Sequence, residues 1–353
     1  MRVRCLAALI AAVLFACVPA QAQGIVYEVF GAYLDSLRGQ AGIPGLAAAI
    51  VDFKGIVWER AYGRQNVAGS IATRTDTPFN ADGLTQTITA AMVLRCAEAR
   101  RLGLDDTVGS LGVATVEPDA SVRQLLTHTS GAPDNLTFLL RPERLGPLWP
   151  IVRSCADDSY RETFATLLHR LGMFDSVPGP DMLTIAPPAE GIPHPTDVER
   201  YAAILQRRAT PYFVGDDRRA LQSSYPAATT RLTPAAGLVT TVRDLAKFDL
   251  ALKQGLLLEA GTLDAAWSTP SANGAALPHG MGWFVQYYNG EKVVWQFGMA
   301  EGASSSLMIM LPARRLTLIL MANSDGLVNL YSPANGDVTL SPFARLFLNL
   351  FVR

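Results

Sequence analysis

Pro78-Phe79-Asn80-Ala81-Asp82-Gly83-Leu84-Thr85-Gln86-Thr87 leads into a stretch of helical spacing. Leu84, Ile88, Ala91, Met92 and Val93 recur at the intervals of one helix face, and Gly103 supplies a stop. Gly83 and Gln86 stand three residues apart, so both fall on one side of the helix start. A helix-borne nucleophile with its activating base one turn later uses this spacing. Gly83 offers no nucleophile, and the amide of Gln86 neither carries charge nor takes a proton near neutral pH.

Outward from this stretch, residues 26–40 have helical spacing through Val29, Phe30, Tyr33, Leu34 and Leu37. Leu46–Asp52 and Ile56–Tyr62 are β-rich runs around Lys54-Gly55. Residues 105 to about 265 read as short helices and Pro/Gly-rich loops without a repeat. The C-terminal third turns to strands. Trp283–Tyr288 and Lys292–Phe297 flank Asn289-Gly290, a strong hairpin signal. Ser304–Leu311 and Arg315–Ala322 form a second pair, and Pro342–Phe351 closes the chain as a helix. Strands at both ends bracketing a helical middle predict an α/β (α+β) fold. Its antiparallel sheet would be built from residues 23–78 and 266–353, flanked by helices, with residues 79–265 inserted as a mainly helical domain.

The 353 residues are 49% hydrophobic and 17% charged, which allows a large core and argues against disorder. A net charge of −1 points to neither nucleic acid nor an anionic membrane surface. Residues 1–22 read as a signal peptide. Arg2 and Arg4 precede the apolar run Leu6–Val18, and Ala20-Gln21-Ala22 is a small-x-small cleavage site. The expected location is therefore secreted or periplasmic. Leu14-Phe15-Ala16-Cys17 also resembles a lipoprotein box, which makes a lipid anchor at Cys17 the alternative. No later run is long and apolar enough to span a membrane. Cys96 and Cys155 remain after cleavage; the reading is two buried small hydrophobes rather than a disulfide.

Several further stretches carry a resemblance in their order and spacing. They are Arg101-Leu102-Gly103-Leu104-Asp105-Asp106, Leu125-Leu126-Thr127-His128-Thr129-Ser130-Gly131, and Leu171-Gly172-Met173. The trail continues through Ala236-Gly237-Leu238-Val239-Thr240-Thr241, Gly280-Met281-Gly282-Trp283, Trp295-Gln296-Phe297-Gly298 and Leu320-Met321-Ala322-Asn323-Ser324. With Phe79-Asn80 and Leu84-Thr85, they make nearly the whole mature chain resemble the serine β-lactamase and penicillin-binding protein family, in its class C and esterase-like branch.

The resemblance implies three catalytic clusters. The first is Ser-x-x-Lys at a helix start, where dipole and ammonium stabilise an alkoxide. Here it reads Gly83-Leu84-Thr85-Gln86. The chain holds four lysines (Lys54, Lys247, Lys253, Lys292), and the positions three before them are Val51, Asp244, Leu250 and Asn289. No Ser-x-x-Lys therefore exists anywhere in the sequence. The second cluster, Tyr-x-Asn, aligns near Leu140-Arg141-Pro142. Tyr287-Tyr288-Asn289 matches in letters but sits at a hairpin turn, and Ser271-Ala272-Asn273 is a loop coincidence. The third, a cation followed by Thr/Ser-Gly, reads Gln296-Phe297-Gly298. Gln296 and Gly298 are the candidate ligand-binding residues.

Other constellations are weaker. His128 with Ser130 reads as a helix end and turn. Ser304, Ser305 and Ser306 open a strand, without a Gly-x-Ser-x-Gly elbow to expose them. His169, His194 and His279 follow no metal-ligand spacing, and neither metal nor cofactor is expected. The leading reading is a secreted pseudoenzyme that keeps a cleft for a peptide or a cell-wall-derived small molecule. The alternative is an active hydrolase of small esters or amides with an unrecognised nucleophile.

Overall fold

The computed structural model describes residues 24–130, 137–184, 195–272, 274–331 and 333–352. The expected signal peptide, Cys17, Gly131, His194 and Asn273 lie outside the described residues. The chain opens with helix α1 (residues 24–40) and the strands β1 (Gly45–Val51), β2 (Ile56–Asn66) and β3 (Ile71–Ala72). It closes with β11 (Phe284–Tyr288), β12 (Glu291–Ala300), β13 (Ser304–Leu311), β14 (Leu316–Ala322) and helix α9 (Pro342–Phe351).

These strands form one seven-stranded antiparallel sheet in the order β11-β12-β13-β14-β1-β2-β3. N-terminal β1 lies between C-terminal β14 and β2, with Ala48 opposite Leu320 and Arg60. Both ends of the chain thus build the sheet, as its bracketing strands predicted. All seven residues of β1 are buried because helices cover both faces. Leu46, Ala48 and Ile50 face the core shared with Phe30, Phe343 and Phe347 of α1 and α9. Ala47, Ala49 and Val51 alternate into the other core, shared with Ile88 and Leu245. The Asn289-Gly290 turn has positive φ at both residues (48° and 76°), the conformation that its sequence favours.

Between these halves run α2 (Thr85–Glu98), α3 (Val122–Leu126), α4 (Leu148–Ala156), α5 (Tyr160–Arg170), α6 (Pro195–Gln206), α7 (Val242–Lys253) and α8 (Ala260–Ala266). Capping boxes start two of them: Ser121 with Gln124 on α3, and Ser159 with Glu162 on α5. Helix α7 lies on the sheet, with Lys253 Nζ donating to Val51 O at 2.9 Å and Thr317 Oγ1 donating to buried Asp249 at 2.7 Å.

Three short strands within this middle segment were not legible in the sequence. β4 (Phe79–Asn80), β5 (Val177–Pro178) and β8 (Leu238–Thr240) make a small sheet in the order β4-β8-β5. Two two-stranded ribbons complete the set, β6 (Tyr212–Val214) with β7 (Ala220–Gln222) and β9 (Ser271–Ala272) with β10 (Ala275–Ala276). The small sheet matters most, since it anchors the segment that enters α2.

The cysteine reading is corrected. Cys96 near the end of α2 and Cys155 on α4 are joined in a disulfide, with Cα atoms 5.9 Å apart. Packing of the two helices brings the thiols together across a sequence separation of 59 residues, a proximity that spacing cannot reveal. By the chain-entropy relation, closing a loop of that length stabilises the fold by about 4 kcal/mol. Among the described residues, no helix is long and apolar enough to cross a membrane.

Candidate functional site

The decapeptide that leads into α2 is pinned from two sides. Ala81 N donates to Leu238 O of β8 at 2.8 Å, and Leu238 N donates to Thr85 Oγ1 at 3.2 Å. On the other side, β13 supplies Ser306 Oγ, which donates to Ala81 O at 2.7 Å, and Ser304 Oγ, which donates to Asp82 at 2.8 Å. Ser305 points the other way and donates to Ser324 O at 2.6 Å. All three serines are fully buried and hydrogen-bonded, which fits their reading as strand residues.

Residues Asp82–Leu84 form a single 3₁₀ turn ahead of α2, and β12 lies directly against it. A Cβ on Gly83 would stand 2.4 Å from the carbonyl oxygen of Phe297 and 3.2 Å from Gly298 Cα. A Cβ on Gly298 would stand 2.4 Å from Ala81 O and 2.6 Å from Gly83 N. The two glycines therefore meet backbone to backbone, and each leaves no room for a side chain on the other. Phe297 lies on a paired sheet strand and Ala81 is bonded to Leu238 and Ser306, so neither carbonyl can rotate aside.

One turn on, buried Gln86 accepts a hydrogen bond at 3.1 Å from His128 Nε2, when that nitrogen carries the ring proton. His128 follows α3 with a left-handed φ of 54°, is buried, and has its pKa pushed down to about 4 by burial. A neutral imidazole donating to a neutral amide is the arrangement that this environment favours. His279 packs edge-on to His128, with ring centroids 4.8 Å apart. Its Nδ1 lies 2.6 Å from Gly280 O, which fixes the proton there and leaves Nε2 as the acceptor facing Gln296 Nε2 at 3.4 Å. Complete burial holds the His279 pKa well below the usual range, with the neighbouring His128 acting in the same direction.

Gln296 also donates to Gly282 O at 3.2 Å and accepts from Phe297 N at 2.9 Å. Phe138 stacks on His279 at 5.9 Å and closes the group from one side. The result is an uncharged group, Gln86–His128–His279–Gln296, hydrogen-bonded at its two ends and joined in the middle by ring packing of the histidines. Sequence reasoning placed the two histidines apart. Nothing in either turn signals the other, but Gly282 N donates to Leu126 O at 3.0 Å and brings their loops together. Gly282 itself has a φ of +97°, and a Cβ there would meet that of Ala90 at 2.3 Å.

Asp82 is a further residue that the sequence did not single out. It has a left-handed φ of 48°, is buried, and Oδ1 lacks a hydrogen-bond partner among the described residues. Burial raises its pKa to about 7, against smaller opposing effects from Ser304 and Arg208. Its oxygens are shielded from solvent, so the carboxyl supports the floor and does not reach outward.

Above this floor opens a cleft of about 870 Å³. Gly83, Gln86 and Gln296 contribute to its base, and Leu140, Trp149, Pro234, Phe297 and Met299 give it a mainly apolar lining. Leu140 and Pro142 stand in the wall, while Arg141 between them lines a separate pocket. None of the four lysines lines the cleft. Lys247 pairs with Asp244, Lys253 with Asp249, Lys292 donates to Trp267 O, and Lys54 lies over Phe53. Among the described residues there is no cluster of side chains suited to a metal ion.

A helix start seated on an antiparallel sheet, with a cleft over their junction, defines a class of protein that sequence comparison also recovers. The chain belongs to the beta-lactamase family, whose Beta-lactamase family model matches residues 30–335. No curated protein matches it. Solved structures with the same fold include the octameric penicillin-binding protein homologue from Pyrococcus abyssi. That one is 19% identical, with a TM-score of 0.69, covering 92% of this chain and 77% of that one. The D-amino acid amidase from Ochrobactrum anthropi SV3, complexed with L-phenylalanine amide, is 17% identical with a TM-score of 0.70 and covers 92% and 98%. A penicillin-binding protein from Bacillus halodurans is 18% identical with a TM-score of 0.64 and covers 82% and 94%.

Proposed function

We propose that this protein is a secreted, catalytically degenerate member of the family that keeps a binding cleft for a peptide or a cell-wall-derived small molecule. The observation that carries this reading is the backbone contact at Gly83, where Phe297 O occupies the space a nucleophilic side chain would need. Gln86 and Gln296 agree with it, since both amides are engaged with neutral partners rather than held ready for charge. Loss of one member of a cooperative catalytic unit costs ~10⁴ to 10⁶ in rate, and here nucleophile and base are both absent. The open cleft supports retained binding, because a site abandoned altogether has no reason to stay empty of side chains.

Export is part of the proposal. It is supported by the pattern of residues 1–22 and by the Cys96–Cys155 disulfide, which suits an oxidising compartment. So is the division into a sheet domain (23–78 and 266–353) and a helical domain (79–265). The purified mature protein, treated with a fluorophosphonate and with a fluorescent penicillin, is expected to stay unlabelled. A stoichiometric adduct on any serine would overturn the reading.

A further inference from the structure

The apolar cleft does not end at its own wall. A second chamber of about 810 Å³ adjoins it and shares Trp149, Arg231 and Thr233 with it. The two differ in chemistry. The second is lined by three arginines (Arg161, Arg208, Arg231) and one carboxylate, Asp181.

Asp181 is already committed. It takes two bonds from buried Arg161, at 3.0 and 2.6 Å, and this arginine also donates to Pro178 O at 2.8 Å. The remaining two cations carry no matching acid in the chamber. Arg208 stacks on Tyr225 at 4.2 Å and donates weakly to Asn80 Oδ1 at 3.4 Å, which fixes its guanidinium without neutralising it. Asp82 feels its charge, but burial of that carboxyl favours the protonated form. Arg231 is exposed and makes no ion pair among the described residues, and it stands where the two chambers join. In the first chamber, besides Asp82, the carboxylate is Glu143, carried by the 140–149 segment rather than by the 227–236 segment that holds Arg231.

We propose that the cleft takes an amphiphilic anion, with an apolar acyl or aryl body in the first chamber and a carboxylate or phosphate held in the second by Arg231 and Arg208. This rests on the reading of the cleft as a binding site. The physical case is that two unpaired guanidiniums beside an apolar basin are left without counter-charge, and an anion tethered to an apolar body satisfies both at once. Arg231, at the junction, selects ligands whose charge lies at the end of the body.

The test is calorimetric titration of the mature protein with N-octanoyl-alanine, octyl phosphate and N-octanoyl-alaninamide. Both anions are expected to bind about tenfold or more tightly than the neutral amide, with the gap narrowing as salt is raised. Arg231→Gln should remove that preference, Arg231→Lys should restore part of it, and neither should move the melting temperature, since the side chain is exposed. The stronger of the two anions identifies the headgroup. Leu140→Trp, which fills the apolar chamber, should weaken all three probes together. Equal binding of amide and anions, unchanged in Arg231→Gln, would overturn the anion subsite while leaving the cleft a binding site. Failure of all three probes to bind would overturn both.

Discussion

The floor of the site and the cleft above it differ in kind. The floor is closed: Gly83 and Gly298 touch through backbone, Gln86 bonds His128, and Gln296 bonds His279. The cleft is open, largely apolar and adjoined by a cationic chamber. In a working acyl-transfer site these two layers form one device, because the groups that bind also present the acyl carbon to the nucleophile. Here they are separable. On the proposed reading, chemistry has been withdrawn from the floor without collapsing the space above it.

The sharpest attempt to break this contrast is back-substitution. From sequence alone, Gly83→Ser with Gln86→Lys is the natural attempt to restore ester hydrolysis. The seal by β12 changes that expectation. Gly83→Ser should cost about 3 kcal/mol, as overpacking against a fixed backbone does, read as a lowered denaturation midpoint with no hydrolysis gained. A stable, fluorophosphonate-reactive Gly83→Ser protein would show that the floor is not sealed. Gln86→Lys alone should cost about 2 kcal/mol, because its amine enters a buried neutral group and His128 is left without its acceptor.

Titration probes the same layer more gently. His128 has a folded pKa of about 4 against an ordinary 6.5, so the unfolded chain binds the extra proton between those values. Stability contributed by this group is therefore full above about pH 6.5 and lost as pH falls toward 4, at about 1.4 kcal/mol per pH unit. His279 acts in the same direction. Asp82 acts oppositely. Its folded pKa of about 7 lies above the ordinary 3.8, so burial costs most above pH 7, and the cost shrinks as pH falls toward 3.8. Asp82→Asn should be more stable than the parent at pH 8, with the advantage fading by pH 5. Chemical denaturation across this range checks it, and an Asp82→Asn protein, freed of the opposing carboxyl, whose stability does not change between pH 7 and 4.5 would remove the neutral histidine pair from the account.

The smallest effect belongs to the cleft. Met299→Ala, at a partly exposed wall position, should change stability by less than about 1 kcal/mol while weakening an apolar probe. A large loss of stability there would mean that the wall is part of the core.

Much of the architecture was legible because the sheet is written in long buried runs with a strong Asn-Gly turn and a capped final helix. The three-stranded patch of Phe79–Asn80, Val177–Pro178 and Leu238–Thr240 was not, since strands of two or three residues carry no period. The absent nucleophile and base at Gly83 and Gln86 could be read directly from the letters. What lay out of reach was tertiary: that Gly83 faces a carbonyl and not open space, that His128 meets His279, that Asp82 is buried, and that Cys96 reaches Cys155. Each depends on two segments more than 50 residues apart meeting in space, and nothing local records that.

The contact between Gly83 and Gly298 also works as a ratchet on descent. Once β12 rests on the turn before α2, a hydroxyl-bearing residue at position 83 is penalised before it can be useful. A return would require the strand to shift first, through changes at other positions that bring no benefit on their own. On the proposed reading, a chain carrying this pair of glycines is thereby steered toward uses of the cleft that need no nucleophile at position 83.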